Sequence, residues 1–220
     1  MKVGTDGVLL GAWSDLSDVN TVLDIGTGTG LISLMIAQRK PTAEIMAIDI
    51  DIPSCLQAKE NVAQSSWRKR IKVENISFQD FSAASDKKYD LIVTNPPFFI
   101  NSSKAPVKAR SIARHTDTLS HDDILKGCCS ILKKTGKLSL ILPFEGYDCF
   151  VAKANEYGFF EERRMIVYPV PNKMPVRILS QWILNKPDKI KIEELIIEKY
   201  GRHNYSEEYI ELTRNFYLDM

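Results

Sequence analysis

The chain has 220 residues, of which 44% are apolar and 26% charged, and its net charge is +1. That is the balance of a soluble protein long enough for one sizeable core, and no run approaches the roughly 20 apolar residues of a membrane span. A charge so near zero excludes a polycationic binder, so any nucleic-acid contact must rest on local patches. Cys55, Cys128, Cys129 and Cys149 show no CxxC or Cys/His spacing and read as reduced thiols of a cytoplasmic protein with no metal.

In chain order, "TVLDI" reads as a strand bounded by a glycine cluster, and "GLISLMIAQR" as the helix after it. "AEIMAIDI" is a second strand, residues 54–65 carry helical periodicity, and "IKVENIS" alternates as a third strand. "YDLIVTN" is a nearly continuous apolar run, the pattern of a central parallel strand buried on both faces. "HDDILKGCCSILKK" is a helix with Ser120 as its cap, followed by the strand "GKLSLILP". "YDCFVAKANEYG" is a helix closed by Gly158. Two late strands, "EERRMIVYPV" and "RILSQWILN", are joined by "PVPNKMP", too short for a crossover helix, and so pair antiparallel. The tail, residues 190–220, reads as a strand, a turn and a short amphipathic helix.

This alternation predicts an α/β fold of three layers, Rossmann-like, with a mostly parallel seven-stranded sheet and an antiparallel late hairpin. One domain spans residues 1–220, with an entry segment over 1–20 and a C-terminal extension over 186–220.

"LDIGTGTG" places Gly26, Gly28 and Gly30 between a strand and a helix, where glycine permits close backbone approach and the helix offers free N–H groups. The spacing is G-x-G-x-G rather than the dinucleotide G-x-G-x-x-G. Asp24 just before it opposes a pyrophosphate and suits a cationic ligand. The combination resembles motif I of the class I S-adenosylmethionine (SAM) methyltransferases. Asp49, at the tip of the second strand, has the position of an acidic ribose ligand. Asp51 beside it is a helix cap. The resemblance also implies an acceptor for the adenine amino group at Asp80. Phe81 is divided between an adenine ring and the core.

"NPPF" follows the fourth strand, at the same sheet edge. Pro96 and Pro97 fix the backbone and remove two N–H donors. The Asn95 amide oxygen and the Pro96 carbonyl then act as paired acceptors beside the face of Phe98, which suits a planar group bearing –NH₂. Phe99 reads as a packing residue. The tetrapeptide resembles the (N/D/S)PP(Y/F/W) motif of amino-group methyltransferases, whose targets include adenine N6, cytosine N4, guanine N2 and a protein glutamine amide.

"KVGTDGVLLGAW" narrows the choice. It resembles motif X of the bacterial tRNA-Val (adenine-37, N6) methyltransferases, which implies a helix over the cofactor with Thr5, Asp6 and Gly7 near its methionine end. "NPPFF", "ARHTDTLSHDDIL" and "NKMPVRIL" extend the resemblance over most of the chain. That family carries a further N-terminal segment, and this chain starts inside it.

The implied activity is SAM-dependent methylation of adenine N6 in tRNA by a monomer. A protein-glutamine N5 methyltransferase or another NPPF-type nucleic-acid amino-methyltransferase is the enzyme alternative, and a SAM-fold RNA-binding protein the non-enzyme one. Local charge agrees with RNA: Lys104, Lys108, Arg110 and Arg114 occur over 101–114 without an acidic residue. Lys173 and Arg177 bracket the late hairpin as further candidates. "WRKR" reads as a solvated loop, and His115, His121 and His203 as structural.

Overall fold

The computed structural model describes residues 4–97 and 119–218. Eight strands among them form one sheet: β1 (Thr21–Ile25), β2 (Glu44–Asp49), β3 (Ile71–Asn75), β4 (Tyr89–Thr94), β5 (Leu132–Pro143), β6 (Phe160–Tyr168), β7 (Arg177–Ile183) and β8 (Lys191–Ile196), in the order β3-β2-β1-β4-β5-β7-β6-β8. Neighbours from β3 to β5 are parallel, and β7 runs antiparallel to both β5 and β6.

The strand count corrects the expected seven. β8 pairs parallel with β6 from Arg163↔Lys191 to Tyr168↔Ile196. The C-terminal strand thus joins the main sheet, because β6 would otherwise leave a row of unpaired backbone groups at its outer edge.

Seven helices flank the sheet among the described residues: α1 (Thr5–Trp13), α2 (Leu31–Arg39), α3 (Ile52–Gln64), α4 (Phe78–Ala84), α5 (His121–Ile131), α6 (Tyr147–Glu156) and α7 (Glu207–Thr213). Alternate residues of the central strands serve two cores. Val22, Leu91 and Val93 pack into one cluster with α1 and α2, and Leu23, Ile25 and Ile92 into the other with α5 and α6. Burial on both faces is why β4 reads as an unbroken apolar run.

α1 is buried from Gly7 to Trp13. At Gly11 an added Cβ would lie 2.7 Å from the Met35 sulfur and 3.1 Å from its Cβ, so a larger residue there would displace the Met35 side chain between α1 and α2. Leu212, Phe216 and Tyr217 of the C-terminal segment cover Val8, Ala12 and Met35 from the other side. Ser120 caps α5 with a full capping box.

One surface residue departs from expectation. Within "WRKR", Arg70 donates to the carbonyls of Ala37 (2.7 Å), Lys40 (3.0 Å) and Ala43 (2.9 Å). It ties together carbonyls at and beyond the end of α2 instead of standing in solvent.

Candidate active site

β1 delivers the chain into a loop in which Gly26 (φ 67°), Gly28 (φ 58°) and Gly30 (φ 83°) are all left-handed. A side chain is strained at each, and this turn needs all of them to reach the start of α2. Gly30 also lies against α3, where an added Cβ would meet the Ala58 Cβ at 3.4 Å.

Two carboxylates organise the loop. Asp24 is fully buried, and one of its oxygens accepts hydrogen bonds from Thr27 Oγ1 and Ser33 Oγ, both at 2.6 Å. Its other oxygen has no partner among the described residues. Burial pushes this carboxyl up to about 6, against the opposing pull of the Ser33 and Thr27 hydroxyls. Asp49, at the tip of β2, accepts from the Gly28 N–H (2.8 Å) and the Asp51 N–H (2.9 Å). Asp51 in turn accepts from Ser54 N–H (2.8 Å) as the cap of α3.

Gly26, Gly28, Asp49 and Asp51 border a cleft of about 510 Å³ at the C-terminal ends of the strands, and Asp24 lies buried outside its lining, a volume within the roughly 300–1,000 Å³ of small-molecule sites. Gly4 and Gly7 form its α1 wall, Asp49 and Ser77 stand on the β2–β3 side, and Asn95 and Pro97 close it at the end of β4. The glycine loop and the end of β4 therefore share one cavity.

Thr5 is exposed as the first residue of α1, and Gly7 packs with its Cα side toward Leu31. Asp6 accepts from Arg177 Nε at 2.9 Å, which ties α1 to the start of β7. Arg177 also donates to the Val176 carbonyl at 2.9 Å, so the structure places it in a half-buried bracket.

Asp80 is exposed and accepts from Ser77 Oγ at 2.6 Å, folded back on the cap of its own helix. Phe81 is buried in the core with its ring 6.3 Å from Tyr89. Because α4 starts at Phe78, its first turn offers Ser77, Phe78 and Gln79 to the cleft while residues 80 and 81 turn away.

Asn95 is half-buried, Pro96 buried and Pro97 exposed. Lys173 is exposed in the β6–β7 connection. Phe98, Lys104, Lys108, Arg110 and Arg114 lie outside the described residues. Sequence reading missed Gly4, Ser77, Phe78 and Gln79. The cap signal "S-x-x-D" at Ser77 would have shown where α4 begins and hence which side chains face the strand ends.

The donor set fits a small cationic nucleoside. A glycine loop without Cβ walls admits a ligand backbone to backbone, Asp49 lines the cleft as an acceptor, and Asp24, buried outside the lining, holds an oxygen with no donor among the described residues. Among the described residues no three His, Cys, Asp or Glu side chains converge on a metal position.

Residues 7–143 match the family model of the Methyltransferase small domain. A protein of Trichodesmium erythraeum named tRNA1(Val) (adenine(37)-N6)-methyltransferase is 48% identical over 99% of this chain and 91% of its own length. A protein of the same name from Bacteroides thetaiotaomicron is 46% identical, covering 100% of this chain and 92% of its own. Among solved structures, protein Atu636 of Agrobacterium tumefaciens, described as a predicted O-methyltransferase, superposes with TM-score 0.70 at 18% identity over 96% of both chains. That likeness concerns the fold.

Proposed function

The chain belongs to the tRNA1(Val) (adenine(37)-N6)-methyltransferase family, and from that membership we propose that it methylates the exocyclic N6 of an adenine in tRNA, at position 37 of tRNA-Val, in the cytoplasm and as a monomer. The cofactor is S-adenosyl-L-methionine, which supplies an electrophilic methyl group on a sulfonium.

The single observation that carries the reading is that Asn95 and Pro97 line the same cleft as the glycine loop and Asp49. The cofactor side and the acceptor side of a transfer are thereby brought to one strand edge. In this reading Asp49 accepts from ribose hydroxyls, and the charge of Asp24 behind the loop favours a cationic amino-acid end. Asn95 Oδ1 and the Pro96 carbonyl accept the two hydrogens of the target amine and orient its lone pair, and Phe98 stacks on the ring. The proton leaves after transfer, so these residues need not include a strong base.

In a tritiated-methyl assay, Asn95→Ala is expected to lose turnover while retaining SAM binding. Unchanged transfer by that variant would refute the role. Charge reversal at Lys108 and Arg110 is expected to weaken tRNA binding and flatten its salt dependence, and equal affinity at low salt would sink that assignment.

A further inference from the structure

The cleft does not account for an apolar patch beside it. β5 continues past its pairing with β4, in which Leu140 faces Thr94, and ends at Pro143. Phe144 follows, one strand over (~5 Å) and about 13 Å beyond the last paired residue of β4. Asn95 follows the end of β4 and Phe144 the end of β5, and because the two strands are parallel both lie at the same edge of the sheet. Phe144 N–H donates to the Val176 carbonyl at 3.2 Å, so the two residues sit opposite each other where β5 meets β7. Both are exposed, Phe144 at 36% and Val176 at 38%, and Met174 two residues before Val176 is at 73%.

Folding does not explain leaving these side chains in water, and here they are held there. Pro169, Pro171 and Pro175 stiffen the connection between β6 and β7, Asn172 sits at φ 60° in its turn, and Val176 N–H donates to the Val167 carbonyl at 2.9 Å. A rigid, exposed apolar surface at the strand-end edge marks a contact site.

We propose that Phe144, Met174 and Val176 form a platform for the nucleobase adjacent to the target in the RNA strand. The proposal rests on the RNA methyltransferase reading above. A base drawn out of a loop leaves its neighbour with an uncovered face, and stacking on an aromatic ring or a flat apolar surface replaces what is lost. The platform continues the strand edge that holds Asn95, so a nucleotide bound there is next in line to the one in the cleft.

Local charge sets the character of the contact. Lys173 stands exposed between Asn172 and Met174, where a phosphate of the same nucleotide would pass, while Glu145 stands exposed beside Phe144. One cation and one carboxylate nearly cancel. The platform therefore acts through stacking that salt does not screen, in contrast to the basic stretch over 101–114.

The test uses the full chain, SAM and a tRNA-Val anticodon stem-loop RNA, with two further RNAs, one carrying an abasic residue 5′ and the other 3′ of the target adenine. Phe144→Ala is expected to raise KM for the intact RNA about tenfold, with SAM affinity and kcat at saturation retained. The rise should be the same at low and high salt, and Phe144→Trp should restore the wild-type value. One of the abasic RNAs should be a poor substrate for the wild type and no poorer for Phe144→Ala. Met174→Ala, at a largely exposed position, should shift KM in the same direction while leaving the fold intact.

Equal KM for wild type, Phe144→Ala and Met174→Ala overturns the proposal while the wild type still methylates the RNA. So does a self-associating wild type whose dimer either variant abolishes, since the patch then covers a second copy. No methylation of any RNA by the wild type overturns the functional reading itself, which is a different result.

Discussion

The two halves of the strand-end edge are built by different means. On the cofactor half, β1 to β3, carboxylates and backbone N–H groups lock to one another: Asp49 holds Gly28 and Asp51, and Asp24 holds Thr27 and Ser33. On the acceptor half, β4 to β7, prolines do the fixing, and Phe144, Met174 and Val176 stand exposed. On the proposed assignment the cofactor meets a pre-formed polar cradle and the RNA a stiff edge with exposed contact points, and α1 with its Asp6–Arg177 pair joins the two.

The contrast breaks first at Asn95. Asn95→Ala is expected to lower kcat by about 10² to 10³-fold and to leave the SAM dissociation constant where it was, checked by single-turnover kinetics and calorimetry. Asp49→Ala is expected to do the reverse. SAM affinity should fall by roughly 10- to 100-fold with the loss of charge-assisted hydrogen bonds, and saturating SAM should recover most of the turnover. If both variants changed the same parameter, the division between halves would fail.

Asp24 gives a sharper version on the cofactor side. Its carboxyl titrates at about 6 in the fold against 3.8 as a free group. A folded value raised above the unfolded one means that its stabilising contribution is complete below about pH 4. That contribution is lost as pH rises through about 6, a change of about 2 to 3 kcal/mol. Asp24→Asn should flatten this part of the stability–pH curve in urea titrations. A cationic ligand prefers the ionised form, so SAM affinity should rise with pH up to about 6 and level off above, and in Asp24→Asn it should stay level. A wild-type affinity that falls over that interval would contradict the placement of a cation near Asp24.

The smallest effect belongs to the joint. Asp6 and Arg177 form a half-buried pair at 2.9 Å, and Asp6→Asn is expected to cost no more than about 1 kcal/mol of stability. It should weaken SAM binding a few-fold through α1, and exchanging the two residues should restore part of the loss. Additive losses in the double variant would show that the pair transmits nothing between the halves.

Where the chemistry was local in sequence, it was legible. The glycine loop, Asp49 and Asn95 each sit at a strand terminus that their own neighbours define, and the structure brings them to one cleft. Asp51 and Ser120 cap their helices as their spacing implies. What failed to show depended on where an element begins or on distant partners. Phe81 and Phe78 are three residues apart on α4, and only the helix start decides which of them meets the cleft. Arg70 resembles its solvated neighbours until the end of α2 is folded against it. β8 looked like an appendage because pairing with β6 is a fact about the sheet and not about residues 191–196. The bracket between Asp6 and Arg177 joins residues far apart in the chain, which no window of sequence reveals.

The most direct measurement incubates the protein with SAM and total tRNA from a strain lacking the gene, followed by nucleoside mass spectrometry. The expected result is new N6-methyladenosine in tRNA-Val, absent when Asn95→Ala replaces the wild type. Methyl groups on another nucleoside, on protein glutamine instead of RNA, or on no acceptor at all would contradict it.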